Sequence, residues 1–133
     1  MSTTPDPTAE PEAFTRGTEL RRAVLGARHV ERSIVPGAEP TDLQRLITEF
    51  GWGTVWARPG LARRERSIAT VSMLIALNRP HELRIHLRGA LNNGCTPAEI
   101  REVIVHAIPY CGFPAAIDAN RVFEAVLADD EHV

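Results

Sequence analysis

The stretch RPHELRIHLRGALNNGCTPAEI, residues 79–100, brings His81, Glu82 and His86 close together. On a helix, Glu82 and His86 fall one turn apart on the same face, whereas His81 points about 100° away from Glu82. A helical zinc site of the His-Glu-x-x-His type needs its histidines four residues apart; here they are five apart, so no metal site is expected. A glutamate one turn from a histidine does suit proton transfer. The carboxylate orients the imidazole and raises its pKa, which makes a usable acid near neutrality. The same spacing also describes an ordinary solvated pair on an exposed helix face.

A second set, Glu102, His106 and Tyr110, recurs every four residues beside the apolar Val103, Ala107 and Cys111. That neighbourhood predicts His106 to be at least half-buried, as a donor or as a core-edge histidine satisfied by a carbonyl. Arginines collect in WARPGLARRERS, where Arg58, Arg63, Arg64 and Arg66 surround the start of a helix. Most of these should be solvated or paired with neighbours such as Glu65, leaving one or two able to hold a carboxylate in a two-pronged grip. All fifteen basic residues are arginine, which removes Schiff-base chemistry and lysine nucleophiles. The two cysteines, Cys95 and Cys111, form neither a Cys-x-x-Cys pair nor a zinc-ligand spacing, and they suggest a reducing, cytoplasmic compartment.

The elements that would position these groups are helical throughout. Residues 1–13 hold three prolines among Ser, Thr, Asp and Glu and read as a disordered tail. From Phe14, Leu20, Val24 and Leu25 keep a 3.6-residue spacing until PGAEP at 36–40. A second helix starts at Thr41 or Asp42 and gathers Leu43, Leu46, Ile47 and Phe50 on one face. A third, apolar almost all round from Ile68 to Leu77, should be the central buried helix. Pro80 opens a fourth and Gly94 offers its left-handed end. TPAE at 96–99 reads as a capping box for a fifth, with Ile100, Val103, Ile104, Ala107 and Ile108 on one stripe and Pro109 expected to kink or end it. GFPAAIDANRVFEAVL completes an all-α domain of about six helices over 14–128, with a short tail at 129–133. No alternating strand pattern of useful length is present.

At 133 residues and a formal net charge of −2, the chain fits one domain and carries no electrostatic footprint for nucleic acid or an anionic membrane. No apolar run approaches a membrane span, and MSTTPDPTAEPEAF has no signal-peptide pattern. A small molecule or a protein is the expected partner. So much apolar helix surface in one chain predicts a homo-oligomer.

The segments WGTVWARPGL, ELRIHLRGALNNG, TPAEIREV and VHAIPYCGFPAA resemble the carboxymuconolactone decarboxylase family, and the resemblance runs from about Thr15 to Leu127. It implies an all-α fold like that of the alkylhydroperoxidase D proteins, assembled as trimers or hexamers with active sites near subunit contacts. Peroxidatic members of that superfamily carry a Cys-x-x-Cys pair upstream of the histidine matching His86. Here those positions read Arg79 and Glu82, so the thiol chemistry has no nucleophile. Cys111 and Pro109 also depart from the family pattern.

The resemblance implies decarboxylation of 4-carboxymuconolactone to 3-oxoadipate enol-lactone, in protocatechuate degradation. Loss of CO2 leaves an electron pair that spreads onto the lactone carbonyl, so no cofactor is needed as an electron sink. For that reaction His86 is the expected general acid or lactone-oxygen donor, Glu82 its orienter and His106 a second donor. Arg66 and Arg58 are the expected carboxylate anchors, and Trp52, Trp56 and Tyr110 are pocket walls or core. The same pocket could serve a related lactone or enolate substrate, and a non-catalytic oligomeric binding protein is the remaining alternative.

Overall fold

Two capping boxes fix where helices begin. In a computed structural model describing residues 12–130, the Thr41 hydroxyl accepts from the Gln44 backbone N–H while the Gln44 side chain accepts from Thr41 N–H. Thr96 and Glu99 make the same reciprocal pair, with Pro97 in the first turn. Each box satisfies donors that the helix itself cannot. The elements are α1 (Glu12–Leu25), α2 (Ala27–Arg32), α3 (Asp42–Leu46), a π-helical segment (Ile47–Trp56), α4 (Arg63–Ala76), α5 (Pro80–Asn92), α6 (Pro97–Cys111) and α7 (Phe113–Asp130). Among the described residues there is no strand. The expected tail lies outside the described residues except for Glu12 and Ala13, which belong to α1, and Asp129 and Asp130 continue α7.

Among the described residues, seven α-helices and one π-helical segment replace the expected six or so helices because two of the expected helices are divided. Gly26, at φ 90°, takes a left-handed conformation open to glycine and separates α1 from α2. The second expected helix passes from α3 into the wider π-helical segment. The described residues form two compact units, one of residues 12–23 with 27–59 and one of 24–26 with 60–130.

In the first unit, α1 and the π-helical segment meet backbone to backbone. A Cβ on Gly17 would collide with the Thr48 carbonyl, and one on Gly53 with the Ala13 carbonyl. Arg16 Nε donates to Gly53 O at 2.7 Å across the same contact. The buried face is therefore Thr48, Trp52 and Gly53. The stripe expected to be buried is outside: Leu43, Leu46, Ile47 and Phe50 are all exposed, with Phe50 at 65 %. Small residues allow the close backbone approach, and it turns the leucine stripe away.

The second unit is built from α4 to α7, with α4 packed on α5 and α6, and α7 on α5 and α6. Val71, Ile75, Leu83, Leu87, Ile104 and Phe123 are among its core residues. The central helix is less enclosed than expected. α4 buries Ser67, Val71 and Ile75, whereas Met73 and Leu77 are each 63 % exposed, because its neighbours cover only one side. Left-handed residues close the helices: Asn78 after α4, Gly94 after α5 and Gly112 after α6. Pro109 does not end α6, which runs on to Cys111. The carbonyl that Pro109 cannot satisfy belongs to Val105, itself exposed, so water can serve it.

Candidate active site

α5 is set by Pro80 at its start and by the buried Leu83, Leu87, Gly89 and Ala90. This register decides how the opening motif is presented. His81 and Glu82 lie on the solvent side, and His86 is half-buried with its Nδ1 shielded from solvent. Glu82 stands one turn before His86, so the same helix carries an exposed carboxylate next to a sheltered imidazole. On α4, Arg66 is half-buried with its Nε likewise shielded from solvent, one residue before the fully buried Ser67. Arg66 and His86 each also make a polar or ring contact.

Polar bonds hold the ends of these two helices together. Asn93, just past α5, donates from Nδ2 to Ser67 Oγ at 2.8 Å and to Arg63 O at 3.3 Å. Arg64 of α4 is ion-paired with both Glu65 and Glu99. That pairing removes Arg64 from the possible carboxylate anchors, and Arg66 is a second half-buried arginine on the same helix. The Ser67–Asn93 link escaped sequence reasoning. A serine in an apolar helix and an asparagine ahead of Gly94 are separate signals until the fold joins them.

The second predicted set takes a different position. Glu102, His106 and Tyr110 are all exposed, Tyr110 at 78 %, so the expectation of a half-buried His106 is corrected. The core stripe of α6 is Ile100, Ile104 and Ala107, and His106 lies two residues, about 200° of helix, beyond Ile104. His106 and Tyr110 do associate, with ring centroids 5.4 Å apart and planes tilted by 48°.

Trp52, Trp56 and Arg58 belong to the first unit. The two indoles pack with centroids 4.8 Å apart; Trp52 is buried, Trp56 half-buried and Arg58 exposed. Among the described residues, no group of three or more His, Cys, Asp or Glu is arranged to hold a metal ion. Burial pushes the Cys95 thiol above its ordinary range, although the nearby Arg64 opposes the shift. Cys95 therefore stays a neutral thiol and a poor nucleophile.

The described helices carry a sheltered histidine on α5 and a half-buried arginine on α4, which packs against it, residue types that acid-assisted chemistry on an anion uses. The profile of the Carboxymuconolactone decarboxylase family matches residues 41–125. The chain is 44% identical over 119 residues to the 4-carboxymuconolactone decarboxylase of Acinetobacter baylyi, covering 89% of both chains. It is 45% identical over 119 residues to the nitrosuccinic acid decarboxylase of Metarhizium robertsii, covering 87% of this chain and 82% of that one. An uncharacterized 15.0 kDa protein of Paracoccus denitrificans is 29% identical over 119 residues, covering 86% of this chain and 87% of that one. The chain belongs to the carboxymuconolactone decarboxylase family.

Proposed function

We propose that this carboxy-lyase decarboxylates 4-carboxymuconolactone to 3-oxoadipate enol-lactone. The observation that carries the reading is the 44% identity to a 4-carboxymuconolactone decarboxylase across 89% of both chains. The reaction breaks the bond between the quaternary ring carbon and its carboxylate. The electron pair moves through the ring alkene onto the lactone carbonyl, CO2 leaves, and a proton is delivered to carbon.

The substrate holds its own electron sink, so the protein has to bind the carboxylates, donate to the developing oxyanion and supply a proton. His86 is assigned the acid or oxyanion-donor role and Glu82 its orientation. Arg66 is the anchor for a carboxylate. On α6, Tyr110 supplies apolar wall and the exposed His106 a second donor; Arg58, Trp52 and Trp56, of the first unit, are assigned to substrate binding by the family resemblance. The enzyme works in the cytoplasm without a metal or an added cofactor, as a homo-oligomer, trimer or hexamer, that covers its exposed apolar faces; no helix among the described residues is long and apolar enough to cross a membrane.

A second reading is favoured by the 45% identity to a nitrosuccinic acid decarboxylase. The electronic demand is the same. A carboxylate on the nitro-bearing carbon departs, its electron pair is held by the nitro group as a nitronate, and carbon is then protonated. Incubating the pure protein separately with 4-carboxymuconolactone and with nitrosuccinate, while following CO2 release, decides between them. Faster turnover of the lactone supports the first reading; faster turnover of the nitro acid replaces it; no CO2 from either sinks both.

A further inference from the structure

The first unit contains a cavity of about 220 Å³, walled on its apolar side by Phe14, Val30, Ile34 and Pro40. Its polar lining is mostly committed elsewhere. The Thr18 hydroxyl donates to Phe14 O at 2.9 Å, and Gln44 uses its side chain on Ser33 O and on the Thr41 N–H. Arg21 differs. Among the described residues its Nε, shielded from solvent, has no hydrogen-bond partner, and its Nη2 donates to the Ser33 hydroxyl at 3.5 Å. That hydroxyl already donates to Val30 O at 2.7 Å. Among the described residues, no aspartate or glutamate lines the cavity.

A half-buried guanidinium at an apolar recess, with its Nε shielded and no counter-charge among the described lining residues, is a costly arrangement, because a partly desolvated cation gains from an anion or further hydrogen bonding. Burial pushes the Arg21 guanidinium below its ordinary value, which reflects that cost. We infer that the cavity is a binding site for a small monocarboxylate with an apolar body, its carboxylate held by Arg21 and its body against Phe14, Val30 and Ile34. A single arginine matches a single carboxylate through paired N–H donors. A doubly charged phosphate would need more donors than this lining offers. At roughly 30 Å³ for each water-sized group, the volume admits about seven non-hydrogen atoms, and the open mouth leaves room for a carboxylate at its edge. That is the size of benzoate or hexanoate. The inference does not rest on the decarboxylase reading, since none of the residues assigned to catalysis lines the cavity.

Calorimetric titration of the full chain with benzoate, and with the neutral isostere benzamide, tests it. Benzoate is expected to bind at least tenfold more tightly than benzamide, and Arg21→Gln should weaken benzoate at least tenfold, the scale of a charge-assisted hydrogen bond. His86→Ala should change benzoate affinity less than twofold, which separates this cavity from the site assigned to decarboxylation. Ile34→Trp, which fills the recess from its rim, should abolish binding without removing the charge. Benzamide matching benzoate overturns the proposal on the parent protein alone, whether or not Arg21→Gln folds. Unchanged affinity in Arg21→Gln or in Ile34→Trp, or loss in His86→Ala, also overturns it.

Discussion

Arg64 on α4 forms an ion pair with Glu99 on α6, and Glu99 is also the residue that closes the capping box with Thr96. One carboxylate thus starts α6 and ties it to the helix that carries Arg66. Both side chains are more than a third exposed, so the ion pair itself contributes little and the cap contributes more. Thr96→Ala should lower unfolding free energy by about 1 kcal/mol, and Arg64→Ala by less. Denaturant unfolding of the two variants checks the order; a larger loss from Arg64→Ala would show that the interhelical pair dominates.

Glycine positions in the first unit give a test with its own control. Gly17 and Gly53 each have a backbone carbonyl where a Cβ would stand, whereas nothing lies within 4 Å of a Cβ on Gly51. Gly53→Ala should destabilise by about 1–3 kcal/mol through overpacking, and Gly51→Ala should be neutral or slightly stabilising. Equal melting temperatures for the two variants would show that α1 and the π-helical segment do not meet as described.

The Thr96 capping box, Gly94 and the α6 stripe were legible because each is a local rule written in adjacent residues. Leu43, Leu46, Ile47 and Phe50 misled because periodicity shows which residues share a face and leaves open whether that face is covered. Gly17 and Gly53 decide the matter, and they lie thirty-six positions apart. The exposure of His106 could have been read by counting from Ile104 instead of from Val103. Arg21 carried a faint signal: it shares a helical face with Phe14 and Thr18, where an arginine must either snorkel or find an anion.

Cys95 supplies a pH prediction. Its folded thiol titrates above the ordinary range through burial, so the unfolded chain gives up this proton first as pH rises. The folded state then holds more protons, and stability falls as pH climbs through the ordinary thiol range. Cys95→Ala should weaken that fall. Denaturant midpoints at neutral pH and on the alkaline side, for parent and variant, measure the difference, and identical slopes with pH would refute the assignment.

The outward Leu46 and Phe50 of the first unit and Met73 and Leu77 of the second are large apolar side chains, each more than 60 % exposed. Such faces mark contacts between chains. Light scattering at low micromolar concentration should report an oligomer, and Phe50→Glu or Met73→Glu should shift it toward smaller species. A monomeric, active parent protein would remove the oligomer from the proposed function.

His86 carries the sharpest expectation. Its half-buried position, with Nδ1 shielded from solvent, is one where an imidazole can hold a proton beside a bound substrate and away from bulk water. A positioned acid contributes about 10²- to 10⁴-fold in rate, so His86→Ala should lower turnover by that order and keep its helical circular dichroism. Glu82→Gln should cost less, since an amide can still orient the ring but lacks the charge that stabilises its protonated form. Turnover of His86→Ala within threefold of the parent would transfer the acid role to His106, whose exposed ring beside Tyr110 would then be the group to substitute.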